Sequence, residues 1–357
     1  MTSTAGTGST SDIEWPDGEE LEVSPGRPAI LHVGKPVTDL GGTGGAAEGA
    51  AGWAEERADL LSSAVLRYGA LLIRGLEVRD ASALGRLSGR LSRTTMRERE
   101  AFGKRRPIGG SVLSSLEWPP DEPMCMHHEL SYTLEFPRLL VMGCFEEPSN
   151  GGTTGLADAR AVLEALPPSL VERFSRDGWQ LVRSYNGLVG IPWQEAFQAQ
   201  DRATAEAYCR DNAIEAEWQP DGGLCTVQRR AAVIHHPLTG DPVWFNQIAF
   251  LNEWTMDPGI REYLTMQFGA EGLPFNSLHG NGEPLTAETV ALLNDVYEAA
   301  TLREKWRAGD VLLVDNIRMA HSREPYEGRR EVGMVLCDPV RLADCRPVGL
   351  TGSAAGR

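Results

Sequence analysis

The sequence has no long apolar run and is short of positive charge, and each deficit argues against a class of protein. Its 357 residues contain 34 Lys and Arg against 50 Asp and Glu, which gives a formal net charge of −16 at pH 7. Such an acidic chain repels polyanions, so the composition argues against nucleic acid or an anionic membrane as a partner. No apolar stretch reaches the length of a membrane span.

The chain also lacks the features of a secreted protein. Its first residues have neither the basic region nor the apolar core of a signal peptide, so we expect a cytoplasmic protein. No two cysteines form a Cys-x-x-Cys pair, and we expect all six to be reduced thiols that behave as small hydrophobes. They are Cys125, Cys144, Cys209, Cys225, Cys337 and Cys345.

The length suits one large domain or two smaller ones. The Ser-, Thr-, Gly- and acid-rich residues 1–24 predict a disordered tail, and residues 346–357 predict a second tail. Between them we predict one domain over residues 25–345, with a helical insertion at about 195–305. The Gly-rich residues 41–52 predict a flexible surface loop.

Apolar periodicity and capping residues locate the secondary structure. The predicted helices cover residues 53–68, 80–92, 159–166, 201–212, 258–268 and 286–301. The predicted strands cover residues 70–75, 137–145, 179–185, 232–236, 243–246, 310–315 and 330–337. Residues 93–123 predict a long loop.

The most informative stretch is Met126-His127-His128-Glu129, which holds an imidazole and a carboxylate two residues apart. On a β-strand such side chains point to one face and can reach one metal ion. A pair of this kind also occurs by chance in many strands, so a third ligand is needed. His321 is the best candidate, and two histidines with one carboxylate make the facial triad of non-haem Fe(II) oxygenases.

Sharing a metal requires the His127 and His321 segments to be neighbours although they are far apart in sequence. Only a non-local β architecture brings such segments together cheaply. The fold class is therefore predicted as α+β, mainly β, with a double-stranded β-helix, or jelly roll, at its core.

A basic stretch precedes the motif and has two interpretations. It contains Arg93, Arg97, Arg99, Lys104, Arg105 and Arg106. The interpretation that we prefer is a solvated charged face. The alternative is a docking surface for an acidic partner, which would be unusual on so acidic a chain.

Further along the chain, other motifs follow in a recognisable order, and together they resemble the TauD/TfdA-type Fe(II)/2-oxoglutarate dioxygenases. The resemblance is strongest to the SyrP-like branch found in natural-product biosynthesis, and it covers roughly residues 60–340. The motifs are His127 to Tyr132, Pro148 to Thr154, Asp158-Ala159-Arg160, Arg183 to Asn186, Trp193 to Phe197, His236 to Gly240, Val243 to Gln247, Trp306 to Asp310, Asp315-Asn316, His321 to Tyr326 and Gly328-Arg329-Arg330.

The resemblance implies an Fe(II) site on His127, Glu129 and His321, with 2-oxoglutarate and O2 as cosubstrates. It also implies an arginine anchor for 2-oxoglutarate, either Arg329 or Arg330. We favour Arg330, because on a strand it would share a face with apolar side chains. The family's threonine maps to Thr154, with Thr153 as the nearby alternative.

The implied reaction is hydroxylation of an amino-acid-type substrate in antibiotic or other natural-product biosynthesis. The substrate would be free or tethered to an acidic carrier protein. Related halogenases replace the carboxylate ligand with a small residue, and Glu129 therefore favours hydroxylation over halogenation. Desaturation or cyclisation at the same site is the alternative, and a zinc-dependent cupin-like hydrolase or isomerase is another. A third is a catalytically silent binding protein.

Candidate substrate contacts are Ser131, Tyr132, Trp244 and Asn246, and core packing is an equal alternative for Trp244. Asn316 is expected to orient a ligand or to satisfy buried backbone groups.

The remaining histidines are not expected to bind iron. His128 should face away from His127, since successive strand residues alternate. The predicted positions of the others are a strand end for His235 and a turn for His236, and the protein surface for His32 and His279.

Overall fold

A computed structural model describes residues 13–34, 46–269 and 272–349. In chain order the strands are β1 (Glu19–Glu22), β2 (Ala29–Val33), β3 (Ala70–Val78), β4 (Pro107–Gly109), β5 (Val112–Ser114), β6 (Met124–His127), β7 (Glu135–Glu146), β8 (Asn150–Gly151), β9 (Leu156–Asp158), β10 (Trp179–Tyr185), β11 (Ile214–Trp218), β12 (Leu224–Arg230), β13 (Val233–His235), β14 (Pro242–Trp244), β15 (Phe275–His279), β16 (Thr301–Leu302), β17 (Gly309–Asp315), β18 (Met319–Arg323), β19 (Tyr326–Glu327) and β20 (Glu331–Arg341).

The α-helices lie in two parts of the chain, the first within residues 46–91 and the second within residues 159–299. They are α1 (Ala46–Glu56), α2 (Ala58–Tyr68), α3 (Ala81–Leu91), α4 (Ala159–Ala165), α5 (Pro168–Asp177), α6 (Trp193–Phe197), α7 (Arg202–Asp211), α8 (Pro258–Phe268) and α9 (Ala287–Ala299). Among the described residues, no helix is both long and apolar enough to cross a lipid bilayer.

The largest sheet has eight strands in the order β1-β2-β3-β17-β7-β20-β5-β4. In its centre Leu312 of β17 lies opposite Leu72 of β3 and Met142 of β7. These three side chains belong to one buried cluster, and their neighbours Leu313 and Val141 belong to another. Because successive side chains alternate between faces, both faces of this sheet are covered by apolar groups.

One face of the large sheet packs against α1, α2 and α3, and the other shares its cluster with a second sheet. The second sheet has the order β16-β9-β18-β6. Its apolar residues Met124, Leu156 and Met319 lie in the same cluster as Leu72 and Met142. The two segments with the predicted metal ligands are therefore strands of a sheet packed on the large one.

A third sheet, β11-β12-β10-β15, corrects the prediction of a helical insertion. The interval 195–305 does contain α7, α8 and α9, but it also contains β11 to β15. The inward positions of β12 are Leu224, Thr226, Gln228 and Arg230. Three of the four are polar, so the strand has no apolar alternation to reveal it in the sequence.

Part of the predicted N-terminal tail, residues 1–24, forms a strand. Residues 19–22 form β1, which pairs antiparallel with β2, whereas residues 1–12 lie outside the described part of the chain. Glu19 accepts hydrogen bonds from the Trp53 indole at 2.8 Å and from Arg57. These bonds hold an acidic segment that by composition alone resembles disordered chain.

The Gly-rich loop and the first predicted helix also need correction. Helix α1 begins at Ala46, so residues 46–52 are helical, and residues 41–45 lie outside the described part. The predicted helix 53–68 is two helices, α1 and α2, which meet at Arg57. Alanine has the highest helix propensity, and four alanines make residues 46–52 helical although two glycines lie among them.

Several other elements lie where the sequence predicts them. Asp80 caps α3 by accepting the Ala83 N–H at 2.8 Å, and Asp158 caps α4. Strands β7, β10 and β17 lie where the apolar runs predicted them, and β13 pairs with β14 as the predicted hairpin.

Candidate metal centre

Two strands bring the predicted histidines together. Strand β18 pairs antiparallel with β6 so that His321 lies opposite His127, and their ring centroids are 4.2 Å apart. The candidate donor atoms of His127, Glu129 and His321 all lie within 4.8 Å of one another, and all three residues are buried. The predicted adjacency of the two distant segments is therefore confirmed.

Glu129 reaches this site from a turn rather than from the strand. Strand β6 ends at His127, and Leu130 has a left-handed φ of 57°. Asn316 holds the turn, because its Oδ1 accepts the Glu129 N–H at 2.7 Å and its Nδ2 donates to the Glu129 carbonyl at 3.0 Å. Two roles were expected for Asn316, orienting a ligand and satisfying backbone groups. These two hydrogen bonds satisfy the backbone of Glu129 and also hold the turn that carries its side chain.

The protein fixes the state of the His127 imidazole. Its Nδ1 lies 2.9 Å from the Cys125 carbonyl, so Nδ1 carries the proton and Nε2 keeps its lone pair. Burial, and after it His321, lowers the pKa of His127 to about 3. The ring also stacks on Phe250 at 4.7 Å. A neutral, immobilised imidazole is the form that binds a metal.

The other two candidate metal-binding side chains, those of His321 and Glu129, face one another. His321 Nε2 lies 3.7 Å from Glu129 Oε2, and His321 Nδ1 is buried with no hydrogen-bond partner among the described residues. Burial alone raises the pKa of the Glu129 carboxyl, but Arg105 and the two histidines outweigh it and the net direction is downward. Two imidazoles and one carboxylate are a donor set that suits Fe(II).

Arg105 is a residue of this site that sequence reasoning missed. Its side chain is only 6% exposed, and its Nη2 lies 2.9 Å from Glu129 Oε2. The preferred interpretation of the basic stretch as a solvated face is wrong at this position, although Arg106 beside it is exposed. Nothing in a run of arginines and lysines marks the one that turns inward.

Arg330 lies at the other end of the same pocket. Its Nε donates to the Gly152 carbonyl at 3.0 Å, while its Nη atoms are 3.4 Å from the hydroxyls of Ser115 and Thr154. No carboxylate pairs with it among the described residues. Burial, followed by repulsion from Arg323, lowers its pKa to about 10. A buried cation with hydroxyl neighbours and no counterion fits the far carboxylate of 2-oxoglutarate.

The two candidate arginines differ in exposure and in contacts. Arg329 is exposed, at 82%, and pairs with Glu146 at 3.3 Å. Thr154 Oγ1 faces Arg330 and accepts the Trp306 indole N–H at 2.9 Å. The structure thus turns Arg330 and Thr154 inward, and Trp306 is a further contact that the motif Trp306 to Asp310 had included without a role.

Gly152 makes room for the Arg330 side chain. It has a φ of 69°, and a Cβ at this position would lie 3.1 Å from Arg330 Cδ and 2.8 Å from Pro148 Cγ. Glycine is the residue that adopts this backbone conformation without strain and allows the close approach.

Two adjoining cavities surround these residues. The metal pocket contains about 60 Å³ and is lined by Arg105, His127, Thr154, His321 and Arg330, among others. The second cavity contains about 310 Å³, and Leu116 lies in the wall of both. Its lining includes four aromatic side chains, Phe102, Trp118, Tyr185 and Phe275, together with the exposed Lys104.

The four residues predicted as substrate contacts lie outside both cavities. Ser131, Tyr132, Trp244 and Asn246 are all buried and line neither cavity. Trp244 packs edge-on against Phe174 at 5.4 Å, because β14 lies against the helical layer.

Polar contacts explain two of the four positions. The Tyr132 hydroxyl donates to the Glu100 carbonyl at 3.1 Å. Asn246 donates to the Ala232 carbonyl at 3.2 Å and accepts the Ile248 N–H. These polar side chains satisfy buried backbone groups, which sequence alone does not distinguish from contacts with a substrate.

The other histidines do not join the metal pocket. His128 turns away from His127, and its Nδ1 lies 2.6 Å from the Asn316 carbonyl. His236 accepts two backbone N–H groups at Nδ1, so its Nε2 donates to Asp315 at 2.9 Å. Both outcomes agree with the expectation from sequence.

Two surface assignments had different outcomes. His279 is buried against Phe174, with ring centroids 4.8 Å apart, so its predicted surface position is wrong. The error arose because β15 was not recognised as a strand. His32 is half-buried beside Glu22, and His235 lies next to the Arg346 carbonyl at 3.0 Å.

Comparisons with known proteins agree with this geometry. Residues 36–337 match the model of the family described as taurine catabolism dioxygenase TauD, TfdA family. The chain is 32% identical over 272 residues to the dapdiamide synthesis protein DdaC of Enterobacter agglomerans, covering 76% of this chain and 83% of that protein. It is 29% identical over 291 residues to a clavaminate synthase-like protein of Arabidopsis thaliana, covering 78% and 84%.

A solved structure shows the same fold. The PvcB protein of Pseudomonas aeruginosa superposes with a TM-score of 0.54 at 17% identity, over 95% of this chain and 98% of that one. The family match covers most of the chain, and the metal pocket lies within it. The chain therefore belongs to the TauD, TfdA family of Fe(II)- and 2-oxoglutarate-dependent dioxygenases.

Proposed function

We propose that this oxygenase binds Fe(II) through His127, Glu129 and His321, and hydroxylates an unactivated C–H bond of an amino-acid-type substrate. The far carboxylate of 2-oxoglutarate pairs with Arg330 and Thr154. One observation carries the proposal: a buried arginine without a carboxylate partner among the described residues lines the same cavity as His127 and His321, the two histidines of a two-histidine, one-carboxylate group. A zinc hydrolase has no use for that arginine.

The residues of the chain supply positioning and electrostatics. Iron with 2-oxoglutarate and O2 supplies the oxidising power when bound. His127 and His321 present neutral nitrogen donors, Glu129 presents a negative oxygen, and Asn316 fixes the turn that holds it. Arg330 orients the keto acid by a charge-assisted pair at the end of the pocket away from the metal.

The choice of hydroxylation rests on Glu129. A carboxylate occupies the position that halogenases leave open for chloride, and Arg105 holds it in place at 2.9 Å. Desaturation and cyclisation begin with the same hydrogen abstraction and remain the alternatives at this site. The dapdiamide relative is named for a biosynthetic pathway, which supports a role in natural-product biosynthesis.

The second cavity is the proposed substrate site. It adjoins the metal pocket through Leu116, and its aromatic wall includes Trp118, which packs against Phe250 at 5.8 Å beside His127. We also propose that the two packed sheets are the walls of a double-stranded β-helix, with the metal pocket between them.

An anaerobic visible spectrum tests the cofactor assignment. We expect Fe(II) with 2-oxoglutarate to give a weak lilac charge-transfer band in the wild-type protein, because the keto acid chelates the metal. Release of succinate then provides a screen for amino-acid substrates. Absence of the band, together with tight zinc binding, would overturn the proposal in favour of the cupin-like hydrolase.

A carrier protein is the proposed source of a tethered substrate. The exposed cations Arg99 and Lys104 belong to the basic stretch, and Lys104 lines the second cavity. Carrier proteins are acidic, so these side chains offer a complementary surface. Because Arg105 is buried against Glu129, reversing its charge would damage the metal pocket and would not report on docking.

Charge reversal at Arg99 and Arg106, two exposed cations of the stretch that do not line the second cavity, is therefore the cleaner test. We expect Arg99→Glu with Arg106→Glu to lower kcat/KM for a carrier-tethered amino acid by about tenfold or more, and to leave the free amino acid unaffected. The control is Arg79→Glu with Arg176→Glu, two exposed arginines outside the stretch. Equal kinetics of both variants with the tethered substrate would exclude this docking surface.

A further inference from the structure

Arg105 has hydrogen-bonding capacity that the protein leaves unused. A guanidinium offers five N–H donors, and among the described residues only Nη2 of Arg105 lies within hydrogen-bond distance of an oxygen, Glu129 Oε2 at 2.9 Å. Its Nη1 contacts the Met334 sulfur at 3.9 Å. Its Nε is buried without a hydrogen-bond partner among the described residues, and the nearest carboxylate oxygen, of Glu98, is 3.7 Å away. A buried cation with free donors is a binding group for an anion.

The guanidinium is directed at the metal pocket. Arg105 lines that cavity together with His127, His321 and Arg330. The Glu129 oxygen that it contacts is also the one that lies 3.7 Å from His321 Nε2. A group that binds the metal beside Glu129 therefore comes within reach of the remaining Arg105 donors.

Two of the arginines that line the metal pocket can still bind a carboxylate. Three arginines line it, namely Arg105, Arg323 and Arg330. Arg323 is already engaged, since its guanidinium donates to the backbone carbonyls of three residues of the 118–122 loop. Arg105 pairs with Glu129 but keeps a free Nε donor, and Arg330 has no carboxylate partner among the described residues. Two cations that contact different residues of one pocket match the two ends of a dicarboxylate.

We infer that Arg105 binds a carboxylate at the metal, and that this carboxylate is the C1 group of 2-oxoglutarate, while Arg330 binds the far one. The inference rests on the proposed function, since it requires a keto acid in this pocket. A carboxylate of the substrate has the same chemistry and is the other possible source. The two sources are separated by measuring keto-acid affinity in the absence of substrate, because only a contact with the keto acid is then lost in an Arg105 variant.

The experiment compares 2-oxoglutarate with 2-oxobutyrate, which keeps the C1 carboxylate and keto group but lacks the far carboxylate. Dissociation constants are read anaerobically from the charge-transfer band at saturating Fe(II), in the absence of substrate. We expect Arg105→Met to weaken both ligands equally, by about 10- to 100-fold. In Arg330→Met the preference for 2-oxoglutarate over 2-oxobutyrate should be lost. The exposed control Arg329→Met should match wild type.

A conservative variant guards against a folding defect. Arg105→Met leaves Glu98 and Glu129 without their cation, so thermal unfolding and Fe(II) affinity are measured alongside. Arg105→Lys keeps the charge but loses the planar fork, and we expect an intermediate loss of affinity for both keto acids. If Arg105→Met does not fold, Arg105→Lys decides the question.

Other outcomes overturn the inference. Wild-type affinity for both keto acids in the Arg105 variants would assign the carboxylate to the substrate. Weaker Fe(II) binding with unchanged keto-acid affinity at saturating Fe(II) would limit Arg105 to holding Glu129. A wild-type protein without any band would instead refute the proposed function itself, so the two failures are distinguishable.

Discussion

Replacing His127 with alanine is expected to lower Fe(II) affinity by at least about 100-fold, which exceeds the usual effect of losing a partner behind a metal ligand. The ring is neutral, buried and held by the Cys125 carbonyl, so no nearby group can take over its Nε2 donor. The charge-transfer band with 2-oxoglutarate should disappear, and succinate release should fall to background.

Equilibrium dialysis of Fe(II) under anaerobic conditions measures this effect directly. The ring stacks on Phe250, so thermal unfolding must show that the variant is folded. His235→Ala is the matched control, because His235 contacts only the Arg346 carbonyl and lies outside the metal pocket. Retention of wild-type Fe(II) affinity in His127→Ala would remove His127 from the ligand set.

The ligand group was predictable because its residue types are rare and their order is informative. His127 and His321 were expected on neighbouring strands, and β6 and β18 pair at those two residues. The route to Glu129 was different from the one expected. The strand ends at His127, and a left-handed Leu130 places the carboxylate together with two Asn316 hydrogen bonds, one donated by its Nδ2 and one accepted by its Oδ1.

Polar residues that face inward were the main source of error. Strand β12 buries Thr226, Gln228 and Arg230, so it lacks the apolar alternation from which strands are recognised. The same difficulty hid Arg105 among exposed cations. Composition predicts a solvated surface in both places, and only the tertiary packing decides which charged side chain is enclosed.

The lining of the second cavity was unpredictable for a related reason. Trp244 and Asn246 lie in a recognisable motif, yet they serve the core and the backbone of a hairpin end. The aromatic residues of the second cavity, such as Phe102 and Phe275, come from separate segments without any common pattern. Side chains that meet only through the tertiary fold leave no periodic trace in the sequence.

The neighbouring arginines Arg329 and Arg330 provide the sharpest test of the 2-oxoglutarate site. Arg330→Met is expected to raise the dissociation constant of 2-oxoglutarate by about 100-fold or more, because removing one partner of a buried charge pair costs about 2–5 kcal/mol. Arg329→Met should change it less than about twofold, since Arg329 is 82% exposed and pairs only with Glu146 at the surface.

Titration of the charge-transfer band with 2-oxoglutarate measures both variants. Arg330→Lys should lie between them, because a single ammonium keeps the charge but cannot span the carboxylate. Fe(II) affinity should be the same in all three variants, since none of them touches the ligand group. Equal effects at Arg329 and Arg330 would mean that the pocket holds the cosubstrate elsewhere, and Arg105 and Arg323, the other two arginines that line the pocket, would then be the next residues to replace.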